Sequence, residues 1–248
     1  MSATSAAQIH RHAVVTGASG MLGAALAQRL LDSDWHVDLW SRNMSERTDQ
    51  LLAEYPERVR WHEVDLTDPG TIKQALRARP PGTRLELLVN NAGLLHQNLF
   101  VTEPDEITAT TVDVNLLGLL HATKACARLM LGNGGGNIIN ISSINAIRGN
   151  RGVATYSAAK AGIEGLTASL ARELGPEQIR VNTLMPGYFA SDLSANVTDR
   201  NLDRITRRTP LGRLGTVDDV LPAFDFLTNP STTFVTAQTI VIDGGLTC

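Results

Sequence analysis

The sequence predicts one α/β domain, a doubly wound, seven-stranded parallel sheet with helices on both faces. Three observations carry that expectation. Short apolar runs suited to buried strands alternate with longer segments of helical period, no linker or repeat interrupts the alternation, and the first strand runs directly into a glycine-rich turn. Strands are expected near His12–Thr16, Trp35–Ser41, Val59–Val64, Leu85–Asn90, Asn137–Ser142, Ile179–Leu184 and Thr239–Ile242. Helices are expected near Met21–Leu31, Pro69–Arg79, Glu103–Leu131, Ala154–Leu174 and Val217–Leu227, each between two strands, as right-handed crossovers require. Residues 1–11 read as a mobile tail and 12–248 as the domain. Pro186–Thr216 has no clear period. Ligands of such sheets bind beyond the carboxyl ends of the strands, which makes this stretch a candidate lid.

The first strand ends in Thr16-Gly17-Ala18-Ser19-Gly20-Met21-Leu22-Gly23, where a helix opens. A dinucleotide pyrophosphate needs a tight turn, bare backbone it can approach, and helix N–H groups facing the anion. Gly17, Gly20 and Gly23, with Ser19, Met21 and Leu22 between them, can supply all three in a Rossmann-type fold. The competing reading is that the glycines merely permit positive φ and close packing. After the second strand comes Trp40-Ser41-Arg42-Asn43, where the adenosine ribose would lie. An acid there would favour NAD(H). Arg42 instead offers a guanidinium fork suited to a 2′-phosphate, with Ser41 as a further donor, so NADP(H) is favoured and NAD(H) remains possible. The competing reading makes Arg42 the first residue of an ordinary loop. Asp38 falls inside the strand, too early to reach a ribose.

Farther on stand Val64-Asp65-Leu66, Asn90-Asn91-Ala92-Gly93, Asn115, Ser143, Tyr156-Ser157-Ala158-Ala159-Lys160, Pro186-Gly187 and Asp243-Gly244-Gly245. With the glycine turn, and in this order, they make the chain resemble the short-chain dehydrogenase/reductase family, in its branch of about 250 residues, from the first strand to the end. The chemistry explains the central pair: residues four apart share a helix face, so the Lys160 ammonium can lie near the Tyr156 phenol. A neighbouring cation favours phenolate and is expected to lower the phenol from its usual value of about 10. Ser143 can hydrogen-bond the substrate oxygen on which charge develops. Ser142 is the competing hydroxyl.

The resemblance implies the remaining roles. Lys160 also binds the nicotinamide ribose, Asn115 holds a water linking Lys160 to solvent, Asn91, Ala92 and Gly93 line the riboses, Asp65 and Leu66 touch the adenine, and Pro186 and Gly187 flank the nicotinamide. The plainer readings are that Asn115 bonds backbone in its own helix and that Asp65 caps the next one. The chain departs from the branch's usual Thr-Gly-x-x-x-Gly-x-Gly: Gly20 comes one place early and Met21 takes the usual glycine site.

Among family members the overall look is that of 3-oxoacyl-acyl-carrier-protein reductases, implying a ketone reduced by NADP(H), with oxidation of a secondary alcohol, sugar or cyclic diol as the alternative. A dinucleotide-binding regulator without turnover is the third reading. It would be marked by loss of the Tyr or the Lys, and both are present. Arg200, Arg204, Arg207, Arg208 and Arg213, against Asp199 and Asp203, could form a basic lid that steers an acyl thioester, or a solvated face or subunit contact. His96, Gln97, Tyr188 and Phe189 are candidate pocket walls. The family's habit implies a homotetramer packed through the two long crossover helices.

Composition excludes other classes. A net charge of −3 gives no general attraction to nucleic acid or anionic membrane. No apolar run approaches the roughly 20 residues of a bilayer span. Two cysteines cannot build a disulfide framework, which points to a reducing cytoplasm. No His, Cys or carboxylate cluster has metal spacing.

Overall fold

The computed structural model of the protein describes residues 10–80, 83–189 and 199–248. Seven parallel strands form one sheet in the order β3-β2-β1-β4-β5-β6-β7. They are β1 His10–Thr16, β2 His36–Ser41, β3 Val59–Glu63, β4 Thr83–Asn90, β5 Gly136–Ile141, β6 Ile179–Pro186 and β7 Thr239–Ile242. The expected tail boundary at residue 11 shifts: His10 and Arg11 are strand residues paired with Thr83 and Arg84 of β4. The rest of that segment, residues 1–9, lies outside the described residues.

Period-2 alternation divides the strands' side chains between two cores. Ala13, Val15, Leu39, Leu87 and Ile139 face one layer, and Val14, Trp40, Leu88 and Ile138 face the other. The first layer is covered by helices α1 (Met21–Asp32), α2 (Glu46–Glu54) and α9 (Leu221–Thr228), and the second by α3 (Pro69–Arg77), α5 (Gly118–Gly132) and α7 (Ala154–Leu174). In α1, Leu22, Leu26 and Leu30 recur every four residues on the buried face. Helix α3 starts at Pro69 behind Asp68, whose carboxylate accepts from the Gly70 N–H at 2.7 Å.

Three helices were not expected. Helix α2 opens with a capping box in which Ser45 and Thr48 bond each other's backbone N–H. Four-residue α6 (Asn145–Arg148) follows β5, and α8 (Asp199–Arg208) lies in the candidate lid. The expected single helix over Glu103–Leu131 is interrupted: α4 (Asp105–Val112) passes through a wide π turn at Asp113–Leu117 before α5 continues.

The second core holds an ionic cluster. Asp38 of β2 lies 3.2 Å from the Nε2 atoms of both His12 (β1) and His62 (β3), with His12 and Asp38 each 1% exposed. Burial works to raise the Asp38 carboxyl, and its hydrogen bonding and charge attraction to the two imidazoles outweigh that, holding it at about 2. Asp38 is thus committed within the sheet.

Candidate active site

β1 and β4 are neighbours whose following segments leave toward opposite faces, and a cleft of about 350 Å³ opens there at the carboxyl ends of the strands. Every residue nominated from the sequence for cofactor or catalysis lines this cleft except Asn115. Gly17 takes φ +65, and a Cβ there would stand 2.7 Å from the Ala92 Cα. A Cβ on Gly23 would meet the Gly17 carbonyl oxygen at 2.3 Å. At Gly20 the nearest atom to such a Cβ is 3.5 Å away, so this residue leaves an approachable surface. Gly20 is the N-cap of α1, with no side-chain cap and no acid in the first turn, so the helix N–H groups have no competing anion from their own helix. The residues present fit a dinucleotide pyrophosphate.

Several nominated side chains do structural work. The Asn91 amide donates to the Thr16 carbonyl at 3.0 Å and the Gly17 carbonyl at 3.2 Å, tying the end of β4 to the glycine turn. Thr16 was not nominated, yet its hydroxyl accepts from the N–H groups of Asn91 and Ala92, both at 3.0 Å. Ser41 donates to the Asn43 carbonyl at 2.8 Å and accepts from Trp61 Nε1 at 2.9 Å, so its proton is spent within the turn and the donor role expected of it falls away. Arg42 keeps an exposed guanidinium, with Asp65 near enough that its charge helps lower that carboxyl. The larger causes there are hydrogen bonds from the Thr67 hydroxyl and N–H, a tight local turn, and Asp68 is the helix cap instead.

The opposite wall carries the Ser, Tyr and Lys. Tyr156 and Lys160 lie on the buried face of α7, which a ladder of buried amides and hydroxyls fixes to the sheet: Asn90 donates to Asn140, Asn140 to Thr167, and Thr167 shares a proton with Thr183. The Ser142 hydroxyl donates to the Lys160 carbonyl at 3.2 Å. Ser143 lies near enough to Tyr156 that its hydroxyl works to lower the phenol, and it accepts from the Asn145 N–H at 3.2 Å. The Lys160 ammonium, 5.8 Å from the centre of the Tyr156 ring, donates to the Ile141 carbonyl at 2.9 Å.

The expected lowering of the phenol is not what the protein environment produces. Burial pushes Tyr156 up to about 12, against a smaller lowering by Ser143, and burial brings Lys160 down to about 8. Burial is the largest influence on both groups. Asn115 sits in the π turn, where its amide donates to the carbonyls of Leu94 and Thr111 and accepts from the Leu94 N–H. Its side chain bonds backbone, and a Cβ added at Gly93 would meet the Asn115 oxygen at 2.9 Å and the Lys160 ammonium at 3.6 Å.

Tyr188 and Phe189 line the cleft, whereas His96 and Gln97 are exposed outside it. In α8, Arg200, Arg204, Arg207 and Arg208 are exposed while Ile205 packs toward Ile144 and Met185. Arg213 is paired with Asp219 at 2.6 Å and does not join that row. No group of three or more His, Cys, Asp or Glu is placed to share a metal ion among the described residues.

A family model described as enoyl-(acyl carrier protein) reductase matches residues 17–247. The chain belongs to the short-chain dehydrogenase/reductase family. It is 32% identical to the 3-oxoacyl-[acyl-carrier-protein] reductase of Chlamydia pneumoniae over 242 residues, 96% of this chain and 98% of that one. It is 33% identical to the Escherichia coli enzyme of the same name, over 94% of this chain and 96% of that one. Among solved structures, a gluconate 5-dehydrogenase from Burkholderia cenocepacia, in complex with NADP and tartrate, superimposes with a TM-score of 0.90 at 28% identity, covering 96% of each chain. This family member is an oxidoreductase of the ketone/alcohol class that uses a nicotinamide dinucleotide.

Proposed function

We propose that the protein is an NADP(H)-dependent carbonyl reductase that uses Tyr156 as proton donor and takes a 3-oxoacyl thioester or a related ketone. The observation that carries this is the meeting of Ser143, Tyr156 and Lys160 on one wall of the cleft, opposite the glycine turn and Arg42.

The bound nicotinamide supplies the hydride. Ser143 accepts a backbone N–H, which leaves its own proton to be shared between the Tyr156 oxygen and the substrate oxygen. Tyr156, held at about 12, is protonated at neutral pH and can donate to an oxygen that becomes an alkoxide. Lys160, at about 8, is largely charged at neutral pH and stabilises the phenolate oxygen as the proton leaves. The same groups serve the reverse reaction, with Tyr156 as base.

A second reading, oxidation of a sugar acid, draws on the gluconate 5-dehydrogenase likeness. The residues that extend the cleft beyond the catalytic motifs, Leu94, Leu95, Ile144, Tyr188 and Phe189, are largely apolar and suit an acyl ketone better than a polyol. Arg42 supports NADP(H) over NAD(H). Family habit supports a homotetramer through α5 and α7, and the free cysteines Cys126 and Cys248 suit a cytoplasmic setting.

The test is kcat/KM for an acetoacetyl thioester, a small ketone, gluconate and a secondary alcohol, each with both cofactors. The thioester with NADPH should rank first, and Tyr156→Phe should lose at least about 100-fold in kcat. Preference for gluconate oxidation would replace the first reading with the second, and wild-type turnover by Tyr156→Phe would remove the proposed mechanism.

A further inference from the structure

Helix α7, which carries Tyr156 and Lys160, starts without the usual aids. Its N-cap is Val153, no side chain caps its first N–H groups, and its first turn holds no acid. An anion arrives from another part of the chain. Glu103, just before α4, accepts at one carboxylate oxygen from the Thr155 hydroxyl at 2.5 Å and from the Thr108 hydroxyl of α4 at 2.8 Å. Thr155 is buried and directly precedes Tyr156.

We propose that Glu103 is a positioning residue for catalysis, latching the first turn of α7 to α4 through Thr155 and so holding the Tyr156 hydroxyl against Ser143. Both partners are charge-assisted hydroxyl donors, and the negative charge lies at the end of a 21-residue helix where the dipole favours it. Position along the helix makes the effect selective. Tyr156 is one residue from the latch, whereas Lys160 lies a turn farther on and is separately anchored by the Ile141 carbonyl. The glycine turn and Arg42 are on the other side of the cleft. Loss of the latch therefore misplaces the proton donor and leaves the dinucleotide's binding surface intact.

This inference rests on Tyr156 being the proton donor, and the experiment separates the two. Glu103→Ala, Glu103→Gln, Thr155→Val, Thr155→Ser and the double variant Glu103→Ala/Thr155→Val are compared for kcat, its pH profile and NADPH affinity by fluorescence. Glu103→Ala and Thr155→Val should each lower kcat about 10-fold or more with the NADPH Kd within about twofold, and the double variant should be no worse than either single. The pH profile of kcat should shift from that of the wild type, because the surroundings of the proton donor change. Thr155→Ser, which keeps the hydroxyl, should recover most of kcat, and Glu103→Gln, which keeps an acceptor oxygen and loses the charge, should recover part of it. If Thr155→Val keeps wild-type kcat and pH profile, or if the two single losses simply add, the latch has no positioning role. If Tyr156→Phe itself turns over normally, the underlying reading has failed instead.

Discussion

Gly23→Ala should destabilise the protein, although helix propensity alone predicts the opposite. Position 23 lies in the third residue of α1, where replacing Gly by Ala is worth about 1 kcal/mol in favour of folding. The added Cβ, however, would stand 2.3 Å from the Gly17 carbonyl oxygen and 2.6 Å from Asn91 Nδ2, about 1 Å inside ordinary contact. The obstacle is backbone, so it cannot swing away. The Gly17 carbonyl also accepts from the Gly20 N–H and from Asn91, both at 3.2 Å, and moving it strains two hydrogen bonds of about 1 kcal/mol each. Overpacking adds about 1–3 kcal/mol. The net result is a loss of about 2–4 kcal/mol, a fall in Tm of roughly 4–16 °C for a domain of this size. Thermal melts at fixed protein concentration, with NADPH titrations by fluorescence, measure both stability and cofactor affinity. Gly20→Ala is the control, since its Cβ meets nothing closer than 3.5 Å and should leave Tm within about 2 °C while weakening cofactor binding. An unchanged or raised Tm in Gly23→Ala would show that the turn relaxes freely and refute the reasoning.

Two further predictions concern charge. Asp38→Asn should cost about 2 kcal/mol at pH 6, from the difference between a carboxyl at about 2 in the fold and about 4 unfolded. Because the folded value is depressed, this stability is present above about pH 4 and is lost as pH falls toward 2. The gap between wild type and variant in urea denaturation should therefore narrow from pH 5 to pH 3, and a gap independent of pH counts against the ionic account. Arg42→Asp should move the NADPH-to-NADH ratio of kcat/KM at least about 10-fold toward NADH. Unchanged kinetics with both cofactors would assign Arg42 to the surface.

The strands and the cleft were legible because their signals are local. Short apolar runs mark the strands, and glycines at 17, 20 and 23 sit where one turn needs all three. Features made by tertiary register were not legible. His12, Asp38 and His62 come together only once β1, β2 and β3 are aligned, and nothing in the chain near Asp38 announces two imidazoles. The hydrogen bonds of Ser41 and Asn91 were not legible for the same reason: their partners Trp61, Thr16 and Gly17 belong to other segments. Helix α2 had a readable start in Ser45 and Thr48, but with Thr48 and Leu51 as its buried residues its apolar face was too sparse to register. The raised phenol of Tyr156 depends on burial, which the i, i+4 spacing of Tyr and Lys does not encode.

The wide turn at Asp113–Leu117 constrains what evolution or an engineer can do by deletion. An α-helix turns about 100° per residue, and a π turn takes up one more residue in about the angle of a single α turn. Removing one residue would relax the turn into ordinary helix and leave Ala122, Cys126 and Met130 facing the sheet they pack against, but it would take Asn115 from its place against the Leu94 backbone. Adding one residue elsewhere in the crossover would rotate α5 by about 100° and carry those side chains off the sheet. No single-residue length change across Asp105–Gly132 keeps both the core and the Asn115 anchor. This crossover should therefore hold its length while the exposed loops around it vary.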